Sequence, residues 1–299
     1  MSPHEEWHVI EPSQRIDVAV AEALGCSRSR AQELLARGSV EVDGRKVTGK
    51  GLRVHHGQRV SVFQNPDSLD ALVASESSLD VLGEGDGWVA VQKPAGLPVH
   101  PLRIDEPDTL LQRVLSRYPA VEGVGEGGLR SGVVHRLDVD TSGVQIFALD
   151  ELSFLRLRDA FKAHRIEKTY RAIVDGSQGD HGRIEVDLRI TRHRPAKVSA
   201  CEAGTGGAES RRCPLRWRLR EKFADASLVE VRPQTGFLHQ IRVSMDWLGH
   251  PILGDPVYGD VAARAPRQML HASRLSLGEI EVEAPDPGDF ASVLERLRG

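Results

Sequence analysis

The chain has 299 residues, 40% hydrophobic and 27% charged, with a formal net charge of −4. This supports about two cores at ~150 residues per domain, and the acidic balance excludes a polybasic protein that grips nucleic acid over its whole surface. Three cysteines (Cys26, Cys201, Cys213) make no disulfide framework and fit a reducing, cytoplasmic setting; no apolar run approaches the ~20 residues of a membrane span, and no secretory signal is expected at the N-terminus.

Charge is uneven along the chain. Residues 15–60 carry nine basic and five acidic side chains, a net +4, whereas residues 61–130 carry five basic and eleven acidic, a net −6. Residues 13–63 read as an independent unit. Val18, Ala19, Ala23 and Leu24 predict a short helix ending near Gly25. A second helix starts at Ser27 or Ser29, with Ser29 and Gln32 at capping-box spacing, and stops at Gly38. Ala31, Leu34 and Leu35 form its apolar face; Arg30 and Arg37, seven apart, share the opposite one. Asp43-Gly44 between Val40–Val42 and Val47 predicts a tight hairpin. Residues 64–79 are polar and aperiodic and read as a linker.

From residue 80 the texture is mixed α+β rather than regular βαβ alternation. Strands are predicted at Trp88–Val91, Val133–Val134, Val144–Leu149, Thr169–Val174 and Leu228–Val231. Helices are predicted at Thr109–Tyr118, Glu151–Lys162, Ile241–Leu248 and Phe290–Leu297. Residues 193–217 show no clear pattern.

The segment Gly132-Val-Val-His-Arg-Leu-Asp-Val-Asp-Thr-Ser-Gly143 is the most loaded with chemistry. A tight polar loop sits between two apolar runs, the kind of place where catalytic residues are held by a rigid scaffold. Taken alone, Asp138 reads as a turn former or a surface ion pair, and Asp140 as a turn residue capping through its side chain. The functional alternative for Asp138 is a carboxylate nucleophile or base. Arg242, alone, reads as a solvated helix charge; paired with a carboxylate it keeps that group ionised. Tyr170 lies on the same strand face as Ala172 and Val174, as a core aromatic or as a ring that stacks on a base. His239 and His250 read as structural histidines. No Cys-x-x-Cys pair, phosphate loop or G-x-G-x-x-G turn occurs, so no metal, ATP or dinucleotide cofactor is expected.

These segments together resemble the RluA-type RNA pseudouridine synthases. The resemblance rests on His135-Arg-Leu-Asp138 with Thr141-Ser-Gly143, Gln92-Lys-Pro-Ala-Gly96 with Val99-His-Pro101, Lys168-Thr-Tyr170, His239-Gln-Ile-Arg242, Leu248-Gly-His-Pro with Gly254-Asp and Tyr258-Gly259, and Leu270-His-Ala-Ser-Arg274-Leu. They stand in the family's order across about residues 80–299. Residues 15–60 resemble the ribosomal S-four-type RNA-binding domain, through Arg15-Ile-Asp17, Ser27-Arg-Ser-Arg30, Gly38-Ser-Val and Val42-Asp-Gly44. The resemblance implies an α+β pseudouridine synthase fold, with a mixed, mainly antiparallel sheet, flanking helices and a central cleft, behind a small α/β RNA-binding domain. It implies conversion of uridine to pseudouridine in RNA, with a flipped-out base and no cofactor. Asp138 would be the nucleophile, Tyr170 a stacking surface that helps remove the carbon 5 proton, and Arg242 the partner holding Asp138 charged. Arg136 would fill the gap left by the base; Arg28, Arg30, Arg37, Lys168 and His239 would contact RNA. Large-subunit ribosomal RNA is the first expectation for the substrate and transfer RNA the second, with a cytoplasmic monomer as the default. The chain departs from the pattern at Phe237, where the family has arginine, at Ser244, where it has histidine, and through 193–217. Two other readings stay open: a retired enzyme scaffold that binds RNA during ribosome assembly, and a glycosidase on free nucleosides, which needs a second catalytic carboxylate.

Overall fold

The computed structural model describes residues 5–36, 38–63, 74–102, 106, 108–176, 179–193 and 195–299. Arg37 and residues 64–73 of the expected linker lie outside the described residues. The N-terminal unit contains β1 (Glu5–His8), β2 (Ser13–Arg15), α1 (Ile16–Ala23), α2 (Arg28–Ala36), β3 (Val40–Val42), β4 (Arg45–Lys46), β5 (Arg53–His55) and β6 (Arg59–Val62). Four strands pair in the order β1-β6-β3-β4, so residues 5–8 join this unit's sheet, and β2 pairs with β5. Gly25 ends α1 at φ 62°, and the Cys26 N–H returns to the Ala21 carbonyl at 3.0 Å. Asp43 and Gly44 have φ of 50° and 75°, the paired positive values that a two-residue hairpin turn needs.

α2 begins at Arg28, so Ser27 rather than Ser29 stands at its N-cap. Ser27 accepts the Arg30 N–H at 3.3 Å, while the Gln32 amide reaches the Asp17 carboxylate at 2.7 Å. Asp17 is fully buried and also receives Arg15 Nε at 2.9 Å and Arg28 at 3.0 Å. One carboxylate thus ties α1 to α2. The Arg15 hydrogen bond chiefly holds its pKa far below the usual carboxylate range, with Gln32 and Arg28 adding and burial opposing.

The second unit contains β7 (Val81–Gly85), β8 (Trp88–Lys93), α3 (Leu110–Arg117), β9 (Ser142–Ala148), α4 (Glu151–Lys162), β10 (Glu167–Asp175), β11 (His181–His193), β12 (Ala196–Glu202), β13 (Arg211–Lys222), β14 (Ala226–Pro233), α5 (Gln240–Trp247), β15 (Leu270–Leu277), β16 (Ile280–Glu283) and α6 (Gly288–Arg298). The sheet runs β12-β11-β13-β14-β10-β15-β9-β8-β7, with β16 on β15. Its pairs are antiparallel except β15 with β9. That contact is close: a Cβ on Gly143 would lie 2.2 Å from the Ala272 carbonyl oxygen, so only glycine lets β9 enter beside β15.

Alternation on β8 and β9 feeds two helical layers. Val89, Val91 and Phe147 pack with Leu110, Leu111 and Val114 of α3. Ala90, Val144 and Ile146 pack with Phe154, Leu157 and Ala160 of α4. Burial of each large side chain contributes about 1.5–3 kcal/mol. Farther along, Leu215 and Val231 pack under Ile241 and Met245 of α5.

Two strand expectations are corrected. Val133 makes one isolated bridge with Phe147 and Val134 makes none, so no strand forms there. Gly132, at φ 66°, turns the chain against β9, where a Cβ would lie 2.3 Å from the Ala148 carbonyl oxygen. The patternless 193–217 segment instead supplies β12 and half of β13.

Replacing Asp17 by asparagine is expected to cost the N-terminal unit about 2 kcal/mol at pH 7. Because the folded pKa is depressed, the stabilisation is present above the unfolded value near ~3.9 and lost as pH falls. Urea unfolding at pH 7 and pH 3 checks this: the gap between wild type and Asp17→Asn should narrow at the lower pH.

Candidate active site

The loop 135–142 and the turn into α5 converge where β9, β15 and β10 lie side by side. A cavity of about 90 Å³ there is lined by Arg136, Asp138, Lys168, Tyr170, His239 and Arg242, together with Thr235 and Phe237. The expected cleft residues thus come together from sites more than a hundred residues apart. Arg28 and Arg30 belong to α2 and do not line it.

Arg242 is not a solvated helix charge. Only 5% of its surface is exposed, and its guanidinium has two partners. Asp255, fully buried, takes one edge: Nε donates to Oδ2 at 2.6 Å and Nη2 to Oδ1 at 2.9 Å. Oδ1 also accepts the N–H groups of Val257 and Tyr258, at 2.8 and 3.2 Å. The remaining edge, Nη1, donates to Asp138 Oδ2 at 3.0 Å. The ring of Tyr258 lies 5.3 Å from the guanidinium carbon. Burial opposes the charge on Arg242, but Asp255 first and Asp138 second outweigh it and raise the pKa further. The guanidinium is therefore a fixed cation whose free edge aims at the loop carboxylate.

His239 precedes α5 in a left-handed conformation, φ 54°. Its Nδ1 lies 2.9 Å from the Tyr258 hydroxyl, which accepts the Val198 N–H at 2.9 Å. The assignment that uses every group has the hydroxyl donating to Nδ1, which leaves Nε2–H facing Asp138 Oδ2 at 4.0 Å. Burial lowers the His239 pKa and favours this neutral imidazole. Burial, then the charge of Asp138, raise the Tyr170 pKa, so its phenol stays protonated. Lys168 Nζ donates to the Thr235 carbonyl at 2.8 Å, and burial brings its pKa down to about 8.

The loop itself is clamped from behind. Lys93 is fully buried, and its ammonium donates to the carbonyls of Pro94, Leu97 and Val139 at 2.8, 2.7 and 2.6 Å. Burial pushes its pKa down to about 7, with Asp140 and Asp138 pulling the other way; the three acceptors use all three protons of the charged form. Arg267 donates to the Asp140 carbonyl at 3.0 Å and to Ser142 Oγ at 3.1 Å. Gln268 holds Thr141 at 2.8 Å, and His271 Nδ1 lies 2.9 Å from Ser142 Oγ. The turn closes through the backbone, Thr141 N–H to the Asp138 carbonyl at 3.0 Å. Among the described residues Asp140 makes no side-chain cap; its carbonyl is what Arg267 uses.

A family model described as RNA pseudouridylate synthase matches residues 87–247, and an S4 domain model matches residues 14–60. An uncharacterized RNA pseudouridine synthase of Synechocystis is 36% identical, covering 95% of this chain and 89% of its own. The ribosomal large subunit pseudouridine synthase D of Vibrio parahaemolyticus is 33% identical, covering 95% and 91%. The chain belongs to the RNA pseudouridine synthase family.

Among solved structures, human RNA pseudouridylate synthase domain containing 1 is 27% identical with a TM-score of 0.58, over 76% of this chain and 97% of that one. The pseudouridine synthase fold behind an S4 domain is as the sequence implied. Within it, two departures separate: Phe237 lines the cleft, whereas Ser244 is fully buried in α5 and does not. His135 is structural, stacked on Phe161 at 4.6 Å and accepting the Ile146 N–H at 3.1 Å, with burial lowering its pKa to about 3. Arg28 is engaged with Asp17 as well as exposed.

Sequence reasoning missed Asp255, Arg267, Gln268 and Gln240. Gln240 accepts from Thr235 Oγ1 at 2.8 Å and the Phe237 N–H at 3.1 Å and donates to the Pro214 carbonyl at 3.2 Å, which fixes the rim that carries Phe237. Gln240 and Asp255 lay within quoted motifs, His239-Gln-Ile-Arg242 and Gly254-Asp, but only the fold brings Asp255 against Arg242; Arg267 and Gln268 lay outside every quoted motif.

Asp255→Ala is expected to cost about 3–5 kcal/mol, since it strands a buried guanidinium. Asp138→Ala, removing a half-buried carboxylate that Arg242 can spare, should cost less than about 1.5 kcal/mol. Urea titration of both variants checks the contrast.

Proposed function

We propose that this enzyme isomerises uridines of large-subunit ribosomal RNA to pseudouridine, with Asp138 as the nucleophile. The observation that carries the reading is the chain Asp255–Arg242–Asp138 opening into a cleft beside Tyr170. The printed name of the Vibrio relative supports the ribosomal substrate. The bond from ribose C1′ to the base nitrogen breaks, the uracil turns, carbon 5 bonds to C1′, and the proton lost from carbon 5 is matched by one that the freed nitrogen takes up. Asp138 attacks the ribose or the uracil ring; both routes need a charged, oriented carboxylate. The base must leave its stack, and Arg136, exposed at the rim, fills the space. Tyr170 stacks on the flipped base, and its raised pKa suits a hydrogen-bond donor better than a resting base. Lys168 and His239 hold phosphate or sugar at the wall.

Residues 13–63 serve as the RNA-binding unit, residues 64–79 as linker and residues 80–299 as the catalytic unit. We take the working form to be a monomer, acting beside the ribosome in the cytoplasm. Among the described residues no helix is long and apolar enough to cross a membrane.

Asp138→Asn is expected to lower pseudouridine formation by at least about four orders of magnitude while RNA affinity stays unchanged. Tritium release from carbon 5-labelled RNA, with a filter-binding titration, measures both; activity close to wild type rules out the nucleophile role. Tyr170→Phe, which keeps the ring, should retain most activity if stacking is its main work; a loss as deep as that of Asp138→Asn would make the hydroxyl essential.

Removing residues 1–63 should weaken RNA binding and flatten its salt dependence, since each phosphate contact contributes about 0.7–0.9 to the slope of log K against log salt. An unchanged slope would separate the basic N-terminal unit from RNA.

A further inference from the structure

Positive charge also gathers on the part of the sheet that the cleft does not use. In the β11, β13 and β14 ladders, Arg183 stands opposite Arg216, and Arg216 opposite Arg232. His181, Arg218 and Glu230 form the next row. Directly opposed residues on antiparallel strands share a face, so three arginines stand side by side across three strands, an arrangement that destabilises a sheet unless something offsets it. Leu215 and Val231, between them in sequence, point the other way and bury under α5. Tyr170 is opposite Val231 and so belongs with α5. The arginine row therefore lies on the sheet face away from the cleft.

The row is only partly neutralised. Glu230 pairs with Arg232 at 2.8 Å and also with Arg220, so both its oxygens are taken. Arg183 reaches Glu185 only at 4.0 Å. Arg216 and Arg218 are exposed and, among the described residues, have no acidic partner. A shallow depression of about 270 Å³ opens between His181, Arg216, Arg218 and Arg232, with Trp217, half-buried against the core under α5, also lining it. None of the exposed large hydrophobic residues lies on these strands. An interface for a folded protein would put aromatic or apolar anchors at its centre. A set of planar, weakly hydrated forks around one half-buried indole, with no exposed apolar anchor, suits the oxygens of a phosphate backbone.

We propose that this face is a second RNA-binding surface, holding the sugar–phosphate backbone of a large substrate RNA where it continues past the β12 edge of the sheet. The inference rests on the RNA-modifying reading above and extends it: a short hairpin fills the cleft alone, whereas a long structured RNA engages both faces. The surface thus favours large folded RNA over small substrates.

The test compares wild type with Arg216→Gln/Arg218→Gln, using filter binding over a range of KCl. The probes are a short uridine-containing hairpin and large-subunit ribosomal RNA transcribed in vitro. The Kd of the long transcript should rise about tenfold near physiological salt, and the slope of log K against log salt should fall by about 1.4–1.8, at ~0.7–0.9 per lost contact. The hairpin Kd should not change. Arg216→Lys/Arg218→Lys should keep the wild-type slope. Arg183→Gln, at the other end of the row, reads the same slope with one contact removed should the double variant fold poorly. An unchanged Kd and slope on the long transcript would overturn the proposal and leave the face to an acidic protein; an equal loss on both RNAs would overturn it as well. Isomerisation is not read in this assay, so its outcome is separate from that of Asp138→Asn.

Discussion

A guanidinium taken out of water must have its hydrogen bonds returned by the protein, and the cleft depends on how Arg242 meets that demand. Asp255 takes the Nε and Nη2 edge, and the backbone N–H groups of Val257 and Tyr258 hold Asp255 in turn. Only Nη1 is left to face the loop, where it meets Asp138. The same principle acts on the other side, where buried Lys93 gathers three carbonyls and Arg267 grips the strand entrance. Asp138 is thereby fixed from two directions, by a charge in front and by its own loop backbone behind. Preorganisation of this kind supplies orientation before substrate arrives.

Much of the site was legible in the sequence because its reacting residues sit in short dense segments. Asp138, Tyr170 and Arg242 each stand in a cluster of polar residues beside an apolar run, and the helices α3, α4, α5 and α6 fall within two residues of their expected spans. The supporting residues were not legible. Arg267 reaches Asp140 across 127 positions, and nothing local in Ala265-Pro-Arg267 signals that contact. Gln268 and Asp17 are likewise defined by partners that only the fold supplies. The failure at 193–217 was different. Cys213, Leu215, Trp217 and Leu219 do alternate with Arg212, Arg216, Arg218 and Arg220, a period-two strand pattern hidden by the density of charge and by the unpatterned hairpin before it. Val133–Val134 failed the other way: two β-branched residues suggested a strand where Gly132 bends the chain off the sheet after one bridge.

The sheet divides its work by face. Residues that alternate toward α5 build the core and present Tyr170 to the cleft. Of the residues that alternate away from it, Arg216 and Arg218 on β13 have no acidic partner among the described residues. The N-terminal unit is similarly economical: Asp17 spends Arg15 and Arg28 on joining two short helices, so its RNA grip falls to the other basic side chains of the unit. At the cleft it is Phe237, not the buried Ser244, that lines the surface a substrate would meet.

Asp255 positions Arg242 and, through it, Asp138. A single-turnover measurement with Asp255→Asn, at a temperature where that variant remains folded, tests this. The Kd for RNA should be unchanged and the rate of pseudouridine formation at least about a hundredfold lower, the scale of loss from a displaced reacting group. A wild-type rate from a folded Asp255→Asn enzyme would contradict this positioning.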